Sequence, residues 1–354
     1  MIKNTHAKDI LFGKTLKELK QVTDSLKLPA FTAKQIALWL YKKQVSSIDE
    51  MTNLSKDARK KLNELYEIGI SLPESVKISA DGTKKYLFAT KNNKFIETAF
   101  IPEEKRNTLC VSSQVGCKMA CTFCMTGKQG FQKHLTSGEI LNQLRSIPEV
   151  DDVSNIVFMG MGEPLDNLDS VLNSLEILTA DYGFEMSPKR INVSTIGMIK
   201  ELKEFLLKSE CNLAVSLHNP FDNERLKLMP VQKIQPISQV LQIIRDWDFG
   251  RNRRVSFEYI MFKGVNDTAQ HVKELAKILN GIKCRINLIR FHPVPGIELT
   301  GSDDETIFEF QKQLKAKGIL TTIRASRGLD IDAACGLLST KAILEQQKFD
   351  FKKM

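Results

Sequence analysis

No run of about 18 uncharged apolar residues occurs anywhere in the chain, so a membrane-spanning helix is not expected. The opening residues, Met1-Ile2-Lys3-Asn4-Thr5-His6-Ala7-Lys8-Asp9, lack the apolar core of a signal peptide, and the expected location is cytoplasmic. Structural disulfides are scarce there. The seven cysteines are therefore expected as metal ligands, catalytic groups or core thiols. Low-complexity segments are absent, and no sequence repeat is present beyond an alternation of strand-like and helix-like runs.

With 354 residues, the chain has room for one large domain and a small one. At 42% hydrophobic and 26% charged it reads as globular. The formal net charge is +9, a sign that suits a polyanionic partner such as RNA and equally suits plain solubility.

Two patterns divide the chain. Residues 16–27, with Leu16, Leu19, Val22 and Leu26, have helical spacing, and 33–44 repeat it with Ile36, Leu38, Trp39 and Leu40. Residues 55–66 form a third expected helix, with Ser55 as N-cap and Asp57 in the first turn. Lysines are dense here: Lys34, Lys42, Lys43, Lys56, Lys60 and Lys61. A hairpin is expected around Asp81-Gly82, joining 76–78 to 86–88. Residues 1–92 therefore read as a helical, basic accessory domain with a β appendage. Its lysines either hold nucleic acid or are solvated surface.

From about residue 95, strand-like runs at 108–112, 156–161, 190–195, 212–218, 254–262 and 285–291 alternate with helix-like runs at 136–147, 167–180, 198–209, 236–248, 267–280 and 303–317. Such alternation implies βαβ units and a parallel sheet. The expected fold class is α/β, a partial (β/α)6 barrel over 93–340, with chemistry at the C-terminal strand ends. Residues 341–354 are expected as a short basic tail.

Cys117, Cys121 and Cys124 read C-x-x-x-C-x-x-C, a spacing that lets one loop aim three thiolates at one point. Thiolates suit iron–sulfur clusters or zinc. A [4Fe–4S] cube is usually held by four cysteines, so three leave one iron open to a small molecule. Structural zinc takes four protein ligands, and the nearest histidine, His134, lies ten residues past Cys124.

This signature resembles that of the radical S-adenosylmethionine (SAM) superfamily. The resemblance implies a [4Fe–4S] cluster whose open iron binds the amino and carboxylate groups of SAM, from which reduction releases a 5′-deoxyadenosyl radical. Gly160-Met161-Gly162-Glu163-Pro164 follows an apolar strand, and glycine allows close backbone approach to a ligand. By resemblance, Gly162 and Glu163 contact the SAM amino group; read alone, the run is a glycine-rich turn. Ser194, Ser216, Leu217 and His218 end the next two strands. They suit the SAM ribose and carboxylate by resemblance, and strand-end capping otherwise. His292 stands where related enzymes often carry asparagine; both hydrogen-bond, but histidine titrates near neutral pH.

Cys110 and Cys335 are singled out further, Cys335 by the small residues around it in Ala333-Ala334-Cys335-Gly336. Cys211 and Cys284 are expected as small hydrophobes. The runs R-x-x-x-G-x-D-I-x-A-A-C-G, L-C-V-S-S-Q-x-G-C-x-x-x-C-x-F-C-x-T and M-G-M-G-E-P together resemble the RlmN/Cfr family of radical SAM RNA methyltransferases. The resemblance covers nearly the whole chain. One departure is Gly336-Leu337-Leu338, where the family usually has Gly-Gln-Leu.

That resemblance implies methylation of adenosine C2 in 23S rRNA and some tRNAs, using two SAM molecules. Adenine C2 is electron-poor and does not attack a methyl donor, whereas a carbon radical adds to it. Cys335 would carry a methyl group as S-methylcysteine. Cys110 would resolve the enzyme–RNA adduct by forming a Cys110–Cys335 disulfide. Glu97 matches the family's proton acceptor and otherwise reads as an exposed strand carboxylate. A flavodoxin-type electron donor and a monomer are also implied. The basic helices, Arg253, Arg254, Arg324 and Arg327 could hold phosphates. Three alternatives stay open: a relative that methylates adenosine C8, which shares all five cysteines; a non-catalytic iron–sulfur RNA-binding or redox-sensing protein; and a radical SAM activase acting on a protein.

Overall fold

The computed structural model describes residues 8–340 apart from 92, 251–252 and 294–295, so the 341–354 tail lies outside the described residues. Helix α1 (Leu16–Ser25) begins where Thr15 and Glu18 form a reciprocal capping box, and it buries Leu19 and Val22. Helix α2 (Thr32–Ala37) passes directly into a wider turn over Leu38–Lys42. The wider turn departs from regular helical spacing. Leu40 is buried while Leu38, from the same apolar run, is 44% exposed. Helix α3 (Lys56–Leu65) is capped by Ser55, whose Oγ accepts from the Ala58 N–H at 3.1 Å.

The rest of the chain builds one ten-stranded sheet. Its strands are β1 (Ser75–Ile78), β2 (Lys84–Thr90), β3 (Lys94–Glu103), β4 (Arg106–Cys110), β5 (Asn155–Phe158), β6 (Ile191–Thr195), β7 (Asn212–Ser216), β8 (Val255–Met261), β9 (Cys284–Arg290) and β10 (Leu320–Ile323). They lie side by side in chain order. β1 to β4 pair antiparallel, and β4 to β10 pair parallel. The parallel strands are joined by α4 (Ser137–Arg145), α5 (Leu168–Thr179), α6 (Ile199–Lys208), α7 (Ile237–Asp246), α8 (Ala269–Ile278) and α9 (Asp304–Ala316). All six expected strand–helix pairs are present. A seventh parallel strand, β10, closes the series; Leu-Thr-Thr-Ile is too short to announce itself by alternation.

The hairpin requires a correction. It is not an appendage of the helical region: β2 pairs with β3 from Lys84↔Phe100 to Thr90↔Lys94, so the main sheet runs without a break across the boundary expected at residue 92. The helical region meets the barrel at a close backbone crossing, where a Cβ on Gly13 would lie 2.2 Å from the Gly138 nitrogen. Among the described residues, no helix is long and apolar enough to cross a membrane.

Among the described residues, no backbone ladder joins β1 to β10, the two edges of the sheet. The segment 328–340 passes from the β10 side to the β1–β2 turn. There the Gly328 N–H donates to the Asp81 carboxylate at 2.9 Å. The Asp330 carboxylate accepts from Ser79 Oγ at 2.5 Å and from the Ala80 N–H at 3.0 Å. Side chains, not rungs, close the ring.

Candidate active site

The loop carrying Cys117, Cys121 and Cys124 leaves the C-terminal side of β4 and is held by backbone bonds. The Thr122 N–H donates to the Leu228 carbonyl at 3.0 Å, and the Cys124 N–H to the Cys121 carbonyl at 3.2 Å. All three cysteines line one cavity of about 150 Å³, together with Gly162, Glu163, Ser194, Ser216, His218 and Cys335. Burial pushes the Cys117 thiol up to about 12 and raises Cys121 and Cys124 as well. The neighbouring cysteine charges raise all three further: Cys124 acts on Cys117, Cys117 and Cys124 act on Cys121, and Cys335 acts on Cys124.

The donor set fits an iron–sulfur cluster. Among the described residues, no three of His, Cys, Asp and Glu are gathered tightly enough for a single metal ion. A cubane takes one cysteine per iron at separate corners, so its ligands stand wider apart than those of a lone ion. Three soft sulfurs on one cavity, with no fourth cysteine or histidine in the loop, leave one corner for a small ligand. Buried Arg225 lies near enough to Cys121 that the thiolate charge supports the guanidinium. It is held by the Leu217, Ile196 and Ser216 carbonyls at 3.1, 3.2 and 3.0 Å.

Opposite the cysteine loop, the backbone of Gly162 sits at φ +103°, and a Cβ there would meet the Gln114 side chain at 2.5 Å. The Glu163 carboxylate accepts from the Leu165 and Ile196 N–H groups at 3.1 and 3.0 Å. Burial outweighs these bonds and raises its pKa to about 7. His218 is buried with a left-handed backbone, φ 54°. Its Nδ1 accepts from the Ile260 N–H at 3.1 Å, which leaves the ring proton on Nε2. Burial lowers its pKa to about 3, so it stays neutral at physiological pH.

The segment 328–340 brings Cys335 over this cavity. The Met125 N–H donates to the Gly336 carbonyl at 2.9 Å, and Thr126 Oγ1 to the Leu338 carbonyl at 2.7 Å. Cys335 is exposed and also lines a second cavity of about 430 Å³, which contains Cys110 on β4. Cys110 is pushed up to about 12 by burial and by the charge on Cys335, with Arg324 pulling it back. Cys335 thus stands between the cysteine loop and Cys110.

The structure also places the other expected residues. Leu217 is fully buried and lines neither cavity; its carbonyl serves Arg225. His292 lines the second cavity, apart from Gly162, Ser194 and Ser216, with Nε2 2.8 Å from Ser326 Oγ. Glu97 is not an exposed strand carboxylate: it is buried on β3 in an ion pair with Lys85 at 3.0 Å. Arg324 lines both cavities and pairs with Glu258 at 3.3 Å. Arg253 stacks over Phe205 and donates to the Cys211 and Leu206 carbonyls at 2.8 and 3.0 Å. Cys211 is a core thiol, as expected.

Glu258 went unnoticed in the sequence. Buried in the middle of β8, it accepts from Ser256 Oγ at 3.0 Å, Asn287 Nδ2 at 2.7 Å and Arg324 Nη1 at 3.3 Å. Polar residues two apart, Ser256 and Glu258, on an otherwise apolar strand were the available signal of an inward polar face.

Residues 111–279 match the radical SAM superfamily model, and residues 10–68 match the model of the ribosomal RNA large subunit methyltransferase N-terminal domain. The chain is 55% identical over 338 residues to the probable dual-specificity RNA methyltransferase RlmN of Bacteroides fragilis, covering 96% of this chain and 98% of that one. It is 41% identical to the dual-specificity RNA methyltransferase RlmN of Syntrophus aciditrophicus, covering 94% and 97%. Among solved structures, a radical SAM methyltransferase from Sphaerobacter thermophilus aligns with TM-score 0.86 and 36% identity over 93% of this chain and 99% of that one.

Proposed function

The chain belongs to the RlmN family of radical SAM RNA methyltransferases, and we propose that it methylates C2 of a specific adenosine in 23S rRNA and in some tRNAs. One observation carries the reading: Cys335 lines both the cavity of Cys117, Cys121 and Cys124 and the cavity of Cys110. A redox sensor or RNA-binding iron–sulfur protein has no use for a sulfur so placed.

Cys117, Cys121 and Cys124 would hold the [4Fe–4S] cluster, which with SAM supplies a carbon radical able to take hydrogen from a methyl group. Gly162 admits the SAM amino acid close to the backbone, and Glu163 accepts from its ammonium. Ser194, Ser216 and the neutral His218 offer hydrogen bonds at the strand ends. The Cys335 sulfur displaces the methyl from a first SAM, so an S–C bond forms as the sulfonium C–S bond breaks. After that carbon has bonded to C2, Glu97 takes the C2 proton, and the one electron left over on the base would pass back to the oxidised cluster. Cys110 then attacks the Cys335 sulfur. A disulfide forms, the S–C bond breaks, and its electron pair goes to the new carbon, which takes a proton and leaves as methyl.

The helical region matched over 10–68 serves as the RNA-binding accessory part, with Lys34, Lys42, Lys43, Lys56 and Lys60 all exposed. The target base must leave its stack or lie in a single-stranded loop to reach Cys335. By family resemblance the electron donor is of flavodoxin type and the working unit a cytoplasmic monomer.

The decisive experiment uses SAM with a fully deuterated methyl, reconstituted enzyme, reductant and a ribosomal RNA fragment. Nucleoside mass spectrometry should show 2-methyladenosine carrying two deuteriums. A methyl with three deuteriums would remove the Cys335 route, and 8-methyladenosine would move the target atom.

SAM binding should depend on pH through Glu163. Its raised pKa means the accepting carboxylate is present above about 7 and is lost below it. Affinity by equilibrium dialysis should then fall by up to about tenfold per unit below neutrality. Glu163→Gln should bind weakly and without that slope; a wild-type-like slope in the variant would exclude Glu163.

A further inference from the structure

Lys85 on β2 is 6% exposed, an unusual place for an ammonium. Its Nζ lies 3.0 Å from Glu97 Oε1 and donates to the Asp332 carbonyl at 3.2 Å. The other Glu97 oxygen accepts from the Ser339 N–H at 3.0 Å. One buried ion pair therefore grips the segment 328–340 on both sides of Cys335, three residues before it and four after. Asp332 adopts a left-handed backbone, φ 53°, a conformation that non-glycine residues hold only when their surroundings enforce it. The Lys85 ammonium sits on its carbonyl.

The Glu97 backbone is anchored as well. Ser112 Oγ donates to the Glu97 carbonyl at 2.6 Å, and the same hydroxyl accepts from the Met161 N–H at 2.8 Å, beside Gly162. Glu97 and the Cys335 segment thus share one fixed frame, and Lys85 is the member that touches both.

We propose that Lys85 is a positioning residue that holds Glu97 and the Cys335 segment in register, so that the proton acceptor and the methyl carrier meet the same base. The proposal rests on the reading of Glu97 as proton acceptor. A buried carboxylate stripped of its partner either takes up a proton or pulls in water, and both spoil an acceptor. Loss of the Asp332 contact frees the backbone that carries Cys335. Arginine keeps the charge but not the shape, because its planar fork suits a carboxylate and a carbonyl together less well than a point ammonium.

The test compares Lys85→Met, Lys85→Arg, Glu97→Gln and the double variant Lys85→Met/Glu97→Gln, all as reconstituted holoenzyme. Three quantities are read: hydrogen exchange of 328–340, turnover on a ribosomal RNA fragment, and covalent enzyme–RNA adduct on denaturing gels. Lys85→Met should raise exchange in 328–340 and lower turnover about 10- to 100-fold, at or below the least that a placed proton acceptor is worth, with adduct accumulating. Lys85→Arg should recover part of both. The double variant should lose less than the product of the two single losses, because both changes act in part through one carboxylate. It also removes both buried charges, so it folds if the single variant does not. Unchanged exchange and turnover in Lys85→Met overturn the proposal. So does a loss that multiplies with that of Glu97→Gln. Normal turnover in Glu97→Gln overturns the proton-acceptor role alone, and the exchange of Lys85→Met then decides the hold on the segment.

Discussion

Replacing Cys335 with alanine should reduce 2-methyladenosine to below about one part in a thousand of the wild-type yield, because no other group can carry the carbon. The residue is exposed, so the change removes little packing. Its segment stays tied to the cysteine loop through the Gly336 and Leu338 carbonyls, which do not depend on the thiol. Iron content and SAM binding should therefore be unchanged, and reductive SAM cleavage should continue without RNA product. Serine should be as inactive as alanine, since a neutral hydroxyl is a poor methyl acceptor. Mass spectrometry of the 328–340 peptide should find a methyl on wild-type Cys335 and none on either variant. Methylated adenosine from Cys335→Ala would end the carrier role.

The second large effect is a trapped intermediate. Cys110→Ala should stop after bond formation to the base and leave RNA covalently attached through Cys335. On a denaturing gel the shifted protein should approach about one RNA per chain, with product suppressed about a hundredfold or more. The fold should survive: Cys110 packs among Ala99, Val157 and Ala333, and loss of one sulfur there costs on the order of 1 kcal/mol. Burial raises the wild-type Cys110 pKa to about 12, so its thiol is protonated at neutral pH. The attacking form is the thiolate, whose fraction grows tenfold per unit below that pKa. Adduct resolution should therefore quicken with rising pH, and pre-formed wild-type adduct chased at several pH values checks the sign. Normal turnover by Cys110→Ala would exclude resolution by this cysteine.

The chemistry was legible in the sequence where it is local. Cys117, Cys121 and Cys124 share one loop, so their spacing announced them, and Gly162-Glu163, which follows one strand, was marked by family resemblance. The alternation that gave six βα units is local in the same sense. What stayed hidden depends on partners far apart in the chain. Lys85 and Asp332 meet across the closure of the ring, as do Glu258 and Arg324 through the barrel interior. Nothing near Arg225 in sequence shows that it ends buried against three strand-end carbonyls. The hairpin was assigned to the wrong neighbour for the same reason, because antiparallel pairing of β2 with β3 leaves no mark on either strand's own pattern. His292 and Leu217 were placed by analogy of position, and the sequence did not show that one would line the second cavity and the other lie fully buried.

The ring's closure by Asp81, Asp330 and Lys85, in place of a ladder, has a mechanical consequence. Parting two β-strands gives up a row of backbone bonds at once, whereas this junction consists of a few separate side-chain contacts. Asp330 grips the turn from the solvent side, where water can take over each bond as it breaks. The join at 328–330 is thus softer than a rung of the sheet, while the buried Lys85–Glu97 pair holds the same segment closer to Cys335. Contacts at this join can therefore be altered one at a time by substitution, while the sheet beneath keeps every rung.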